Sequence, residues 1–87
     1  MRADKDKVSR LLKTARGQLD GLLRMVEEDR YCIDISTQLM ATEAILRRAN
    51  REVVAAHMEG CLIEAVEQGN ASQQVDELMK LIDKMAK

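Results

Sequence analysis

The chain has 87 residues, a formal net charge of −1, no Pro, Trp or Phe and a single Tyr. This length permits one small domain, 1–87, which buries too little surface to be very stable alone. The near-neutral charge gives no global case for nucleic acid, the lack of a run of about 18 apolar residues excludes a helical membrane span, and the opening MRADKDK lacks a signal peptide's apolar stretch, so the expected compartment is the cytoplasm.

The composition is rich in Leu, Ala, Met, Glu, Lys and Arg, the residues that favour helices. The spacing predicts an all-α chain of three helices. The first covers about residues 4–27, with Val8, Leu11, Leu12, Ala15, Leu19, Leu22, Leu23 and Val26 recurring three and four apart. Gly17 and Gly21 lie four apart inside it and read as a face of close helix–helix approach. Asp29 is suited to cap the next helix. No Gly or Pro interrupts Tyr31 to Glu59, and Ile35, Leu39, Thr42, Leu46, Ala49, Val53, Ala56, Gly60 and Ile63 keep a helical period, so one long helix is expected over 31–68. Gly69-Asn70 stops it, and a short third helix over 72–85 carries Val75, Leu78, Met79, Ile82 and Met85.

Charge is distributed in blocks. Residues 1–16 carry six basic and two acidic side chains, and residues 35–51 carry Arg47, Arg48 and Arg51 against Glu43. The remaining segments are acidic. The two basic blocks are candidates for one face of an assembly.

The only histidine, His57, stands four residues before Cys61, and the only other thiol is Cys32. Two cysteines without an export signal point to metal or redox chemistry more than to a structural disulfide. On a helix His57 and Cys61 share a face one turn apart. By itself His-x3-Cys is a weak motif, since a lone Cys is more often a small buried hydrophobe. Cys32 lies 25 residues before His57, roughly 37 Å along an unbroken helix at 1.5 Å per residue. It cannot join its own His57 and Cys61. An antiparallel helical dimer crossing near Ile45 brings Cys32 of one chain to His57 and Cys61 of the other, in two equivalent sites. Two thiolates and one imidazole suit Cu(I). Zn(II) would need a fourth donor, from water or a carboxylate.

The run ARGQLDGLLRMVEEDRYCIDISTQLMATEAILRRANREVVAAHMEGC resembles the CsoR/RcnR family of bacterial metal-sensing repressors, and most closely its copper-sensing branch. The resemblance covers nearly the whole chain. It rests on a Cys early in the second helix followed at matching distance by His-x3-Cys, here Cys32, His57 and Cys61. It implies helical dimers that pair into a disc-like homotetramer without a helix-turn-helix. It also implies a metal-free form bound to operator DNA, and release when Cu(I) bound by Cys32, His57 and Cys61 spans the dimer, so that copper-resistance genes are expressed. Tyr31 and Glu77 match positions thought to couple the metal site to the rest of the fold. DNA contacts implied for the second helix fall on Arg48, with Arg47 and Arg51 beside it. In the first helix Leu11 replaces a common arginine, leaving Arg10, Lys13 and Arg16 as the basic candidates. Nickel and cobalt sensors of the family use extra histidines, persulfide sensors lack the histidine and formaldehyde sensors lack the second cysteine, so copper fits best. The alternatives are a thiol- or persulfide-responsive repressor, or a repressor responding to another metal. No enzyme is expected, because the basic residues and acids show no catalytic pattern like that of small helical mutases, and no small-molecule substrate is implied.

Overall fold

The computed structural model describes residues 1–69 and 71–86 and contains three helices, α1 (Lys5–Glu27), α2 (Cys32–Gln68) and α3 (Ala71–Met85), with no strand among the described residues. Asp4 caps α1: its carboxylate accepts from the backbone N–H of Asp6 at 3.0 Å and of Lys7 at 3.2 Å. The helix closes differently from the sequence expectation. Asp29 does not cap α2. It takes a left-handed conformation (φ 50°) that ends α1, while Arg30 N–H reaches back to the Met25 carbonyl at 2.9 Å. That long backward bond satisfies a carbonyl the helix end would leave unpaired. Tyr31 stands at the head of α2, with no side-chain capping bond. Gly69, at φ 78°, ends α2 in the left-handed region that only a residue without Cβ enters at little cost.

α1 and α3 both pack on α2 and, among the described residues, not on each other. α1 contributes Val8, Ala15 and Leu22, spaced seven apart, against the side of α2 that carries Thr42 and Ala49. Between the two helices the buried Thr42 hydroxyl donates to the Gln18 side-chain oxygen at 2.8 Å, and Lys7 Nζ meets Glu52 Oε1 at 2.9 Å. The same hydroxyl is within reach of the Gln38 carbonyl of its own helix at 3.1 Å, so the Gln18 contact adds a cross-helix bond without being the hydroxyl's sole partner. The glycines do not serve the expected approach. Among the described residues, a Cβ built at Gly17 or Gly21 meets nothing within 4 Å. Gly17 lies roughly 200° around α1 from Ala15, on the side opposite the packing stripe, whereas Gly21, about 100° from Leu22, flanks the stripe and borders a cleft with Gln18 and Gln38.

The result is an open plate. Its Cα extents are 57 × 27 × 12 Å and its radius of gyration is 17.5 Å, against about 12 Å for a compact chain of this length. The buried core consists of Ala3, Val8, Ala15, Leu22, Ala49, Val54 and Ala65 with Thr42, and none of the described large side chains is fully buried. Leu23, Val26, Ile33, Met40, Ile63 and Val66 are all exposed, Val66 by 70%. One groove, lined by Leu19, Leu22, Leu23, Val26, Ile35 and Leu39, is almost wholly apolar. At about 25 cal/mol per Å² of apolar surface, a core of small side chains cannot offset the ordering of 87 residues. The large apolar side chains left exposed make a partner surface the expected source of the missing burial. The midpoint of thermal or urea unfolding is therefore expected to rise with protein concentration. A midpoint independent of concentration over a hundredfold dilution series, followed by circular dichroism, would show that the single plate is sufficient.

Candidate metal centre

α2 carries all three soft-donor candidates, but at its two ends. Cys32 is its first residue and is exposed; His57 is exposed and Cys61 half-buried two-thirds of the way along. The i, i+4 spacing sets the second pair together, with Cys61 Sγ 3.3 Å from His57 Nε2 and 3.9 Å from Nδ1. α2 runs unbroken between Cys32 and this pair. Accordingly, among the described residues no three His, Cys, Asp or Glu side chains are grouped to hold a metal ion. Within one chain His57 and Cys61 stand together and Cys32 stands apart from them.

His57 and Cys61 open into a cleft of about 150 Å³ between α2 and α3. Its other walls are Met58 and Leu62 from α2 and Gln74, Glu77, Leu78 and Leu81 from α3. Glu77 therefore stands at the same cleft as the His57–Cys61 pair. Tyr31 does not: it adjoins Cys32 at the far end of α2 and is 66% exposed. The donor chemistry fits a soft, low-coordinate cation, since a thiol and an imidazole face a largely apolar wall.

Sequence reasoning missed Arg2. Its guanidinium Nη2 bonds Glu64 Oε2 at 2.7 Å, and its side chain lies across the backbone of Gly60, with Cδ 2.8 Å from where a Cβ on Gly60 would stand. The Glu64 carboxylate raises the Arg2 pKa further above its ordinary value despite an opposing effect of burial, and Cys61 adds a smaller contribution in the same direction. So the first residues of the chain are held against the turn of α2 that bears Cys61. The signal available was Gly60 itself, a helix-weakening residue placed next to a candidate ligand.

The six basic DNA candidates are all exposed, but they divide. Arg10, Lys13 and Arg16 lie on α1; Arg47, Arg48 and Arg51 lie on α2. Arg47 and Arg51 are each two residues from buried Ala49, so roughly 200° around α2 and turned away from α1. Arg47 also meets Glu43 at 3.6 Å, whereas among the described residues the other five make no ion pair. Within a single chain Arg47 and Arg51 therefore stand away from the α1 block.

A three-helix plate with a thiol–imidazole pair at the cleft between α2 and α3 matches one family of metal-sensitive regulators. Residues 4–84 match the family model described as metal-sensitive transcriptional repressor, and the chain belongs to that family. It is 46% identical over 71 residues to the copper-sensing transcriptional repressor CsoR of Mycobacterium ulcerans, covering 82% of this chain and 61% of that protein. It is 33% identical over 84 residues to the Bacillus subtilis protein of the same name, covering 97% of this chain and 83% of the relative. The chain thus spans about three-fifths of the length of its mycobacterial relatives. The crystal structure of the copper-sensing repressor CsoR with Cu(I) from Geobacillus thermodenitrificans superposes with a TM-score of 0.85 at 34% identity, covering 100% of this chain and 94% of that one. The nickel-responsive transcriptional regulator InrS gives 0.84 at 28% identity, covering 98% and 96%.

Gly60→Ala is expected to push Arg2 off α2. Helical circular dichroism should stay unchanged, while the 15N heteronuclear NOE of Arg2 and Ala3 falls toward that of a free chain end. An unaltered NOE would mean that the tail is held by Ala3 alone.

Proposed function

We propose that this chain is the subunit of a copper(I)-responsive transcriptional repressor. The metal-free assembly binds operator DNA. Loading with Cu(I) across the dimer, through Cys32 of one chain and His57 and Cys61 of the other, releases the DNA and derepresses copper-resistance genes. The observation that carries this reading is the split donor set: His57 and Cys61 paired at 3.3 Å, with the other thiol at the opposite end of one unbroken 37-residue helix.

An antiparallel partner supplies what each chain lacks. The apolar groove of Leu19, Leu22, Leu23, Val26, Ile35 and Leu39 borders the Cys32 end of α2, and exposed Ile63 and Val66 flank the Cys61 end. Reversing one chain on the other sets these two apolar surfaces together and the Cys32 thiol beside the His57–Cys61 pair. Two such dimers in a tetramer repeat the basic blocks and let α1 and α2 arginines of different chains share a face. Cys32 of one chain and His57 and Cys61 of the other would hold Cu(I), which would supply a tie between the chains; two sulfurs and one nitrogen suit its softness.

Glu77 gives the site its route to the fold. It faces the cleft with His57 and Cys61, so any reorientation of the imidazole is felt by α3. Tyr31 of the partner stands next to the incoming Cys32. Release of DNA requires that the loaded conformation bind operator more weakly, and DNA then weakens metal binding by the same factor. Affinity for DNA rests on phosphate contacts from Arg10, Lys13, Arg16, Arg47, Arg48 and Arg51, and falls steeply with salt.

A mixing experiment tests the cross-chain site. Cys32→Ala and Cys61→Ala proteins, each alone, should lose tight Cu(I) binding. Unfolded together and refolded at equal amounts, they should regain about a quarter of the wild-type sites, since half the dimers are mixed and each holds one intact site. No recovery would overturn the pairing of Cys32 with the partner's His57 and Cys61. In fluorescence anisotropy, one Cu(I) per chain should release promoter DNA selected by the metal-free protein, while His57→Ala stays bound. Release of the His57→Ala protein by copper would sink the coupling through the imidazole.

A further inference from the structure

We infer that the Met58 thioether is a capture donor for Cu(I) and a source of its selection over Zn(II), in the half-site one chain presents before the partner's thiol is engaged. The inference rests on the copper(I) reading of His57 and Cys61 and adds a residue to it. His57, Met58 and Cys61 occupy positions i, i+1 and i+4 of α2, a tight triangle on a helix surface. Met58 and Cys61 are i, i+3 neighbours, with about 5–6 Å expected between their Cβ atoms. All three line the one cleft of about 150 Å³ between α2 and α3.

Met58 is half-buried, with Leu62, Leu78 and Leu81 forming the apolar part of the same wall. Its three rotatable bonds let the sulfur swing toward the Cys61–His57 gap without moving the helix. A thioether is a neutral, soft donor. It adds to a Cu(I) site while giving little to Zn(II), which takes thiolate, imidazole or carboxylate oxygen. The harder oxygens of Gln74 and Glu77 come from the opposite helix. Cys32 is at the other end of α2, so a single chain has two strong donors, and Met58 makes the third contact that a weakly held ion needs.

The test isolates the half-site. Cys32→Ser protein is compared with Cys32→Ser/Met58→Leu, since leucine preserves the apolar volume. Cu(I) affinity is read by competition with a chromophoric chelator, and the donor count by X-ray absorption. Two sulfurs and one nitrogen are expected in the first protein and one sulfur and one nitrogen in the second. Cu(I) affinity should fall by about tenfold or more on the Met58→Leu change, the scale of losing a supporting contact at a metal site, while Zn(II) affinity is unchanged. Equal Cu(I) affinity and sulfur count in the two proteins would overturn the inference. So would an equal loss of Cu(I) and Zn(II), which would mark Met58 as a packing residue only. The cross-chain reading fails separately, if Cys32→Ser by itself leaves the Cu(I) affinity of the otherwise unaltered chain untouched.

Discussion

Everything in this molecule follows from the length and continuity of α2. Thirty-seven residues without an internal break hold Cys32 at one end and the His57–Cys61 pair far along the other. A helix of that length is a rigid spacer at about 1.5 Å per residue. It cannot fold back to complete its own donor set, and α1 and α3 are too small to cover it. In the proposed antiparallel dimer the same rigidity would bring the thiol at one end of α2 to the pair on the partner's α2.

The proposed dimer places binding and assembly on one surface. The plate buries a stripe of small side chains and leaves large ones, among them Leu23, Ile63 and Val66, in solvent. Those residues lie near the two ends of α2, where the donors are. In the proposed dimer a metal held between the chains would act on the interface that covers these exposed side chains. Modest changes there reach α1 through the Thr42–Gln18 and Lys7–Glu52 contacts, and reach α3 through the cleft that His57 shares with Glu77. The Arg2 strap over Gly60 gives the chain's first residues a position on the same turn.

Much of the fold was legible because it is local. The three and four spacing of Val8, Leu11, Leu12 and Ala15, the glycine at 69 and the absence of proline each act within one turn of helix, and each left a direct mark on the sequence. Asp29 shows where local reasoning ran out. Its type suits a helix start, but the chain reversal after Glu27 needed a left-handed residue, and Asp tolerates that conformation better than most. Gly17 and Gly21 show the second limit. Their spacing suggested a contact face, but which face of α1 meets α2 was decided by Val8, Ala15 and Leu22, leaving the glycines outside.

By itself the sequence determined the three helices, the identity and spacing of His57 and Cys61, and the distance that bars Cys32 from joining them, because helical rise and period are properties of the backbone. Only the tertiary structure decided that Glu77 and Met58 border the His57–Cys61 cleft, that Arg2 lies on Gly60, and that Arg47 and Arg51 turn away from α1. These depend on how α1 and α3 dock against α2. Docking is set by the fit of side chains far apart in the chain, which no local spacing encodes.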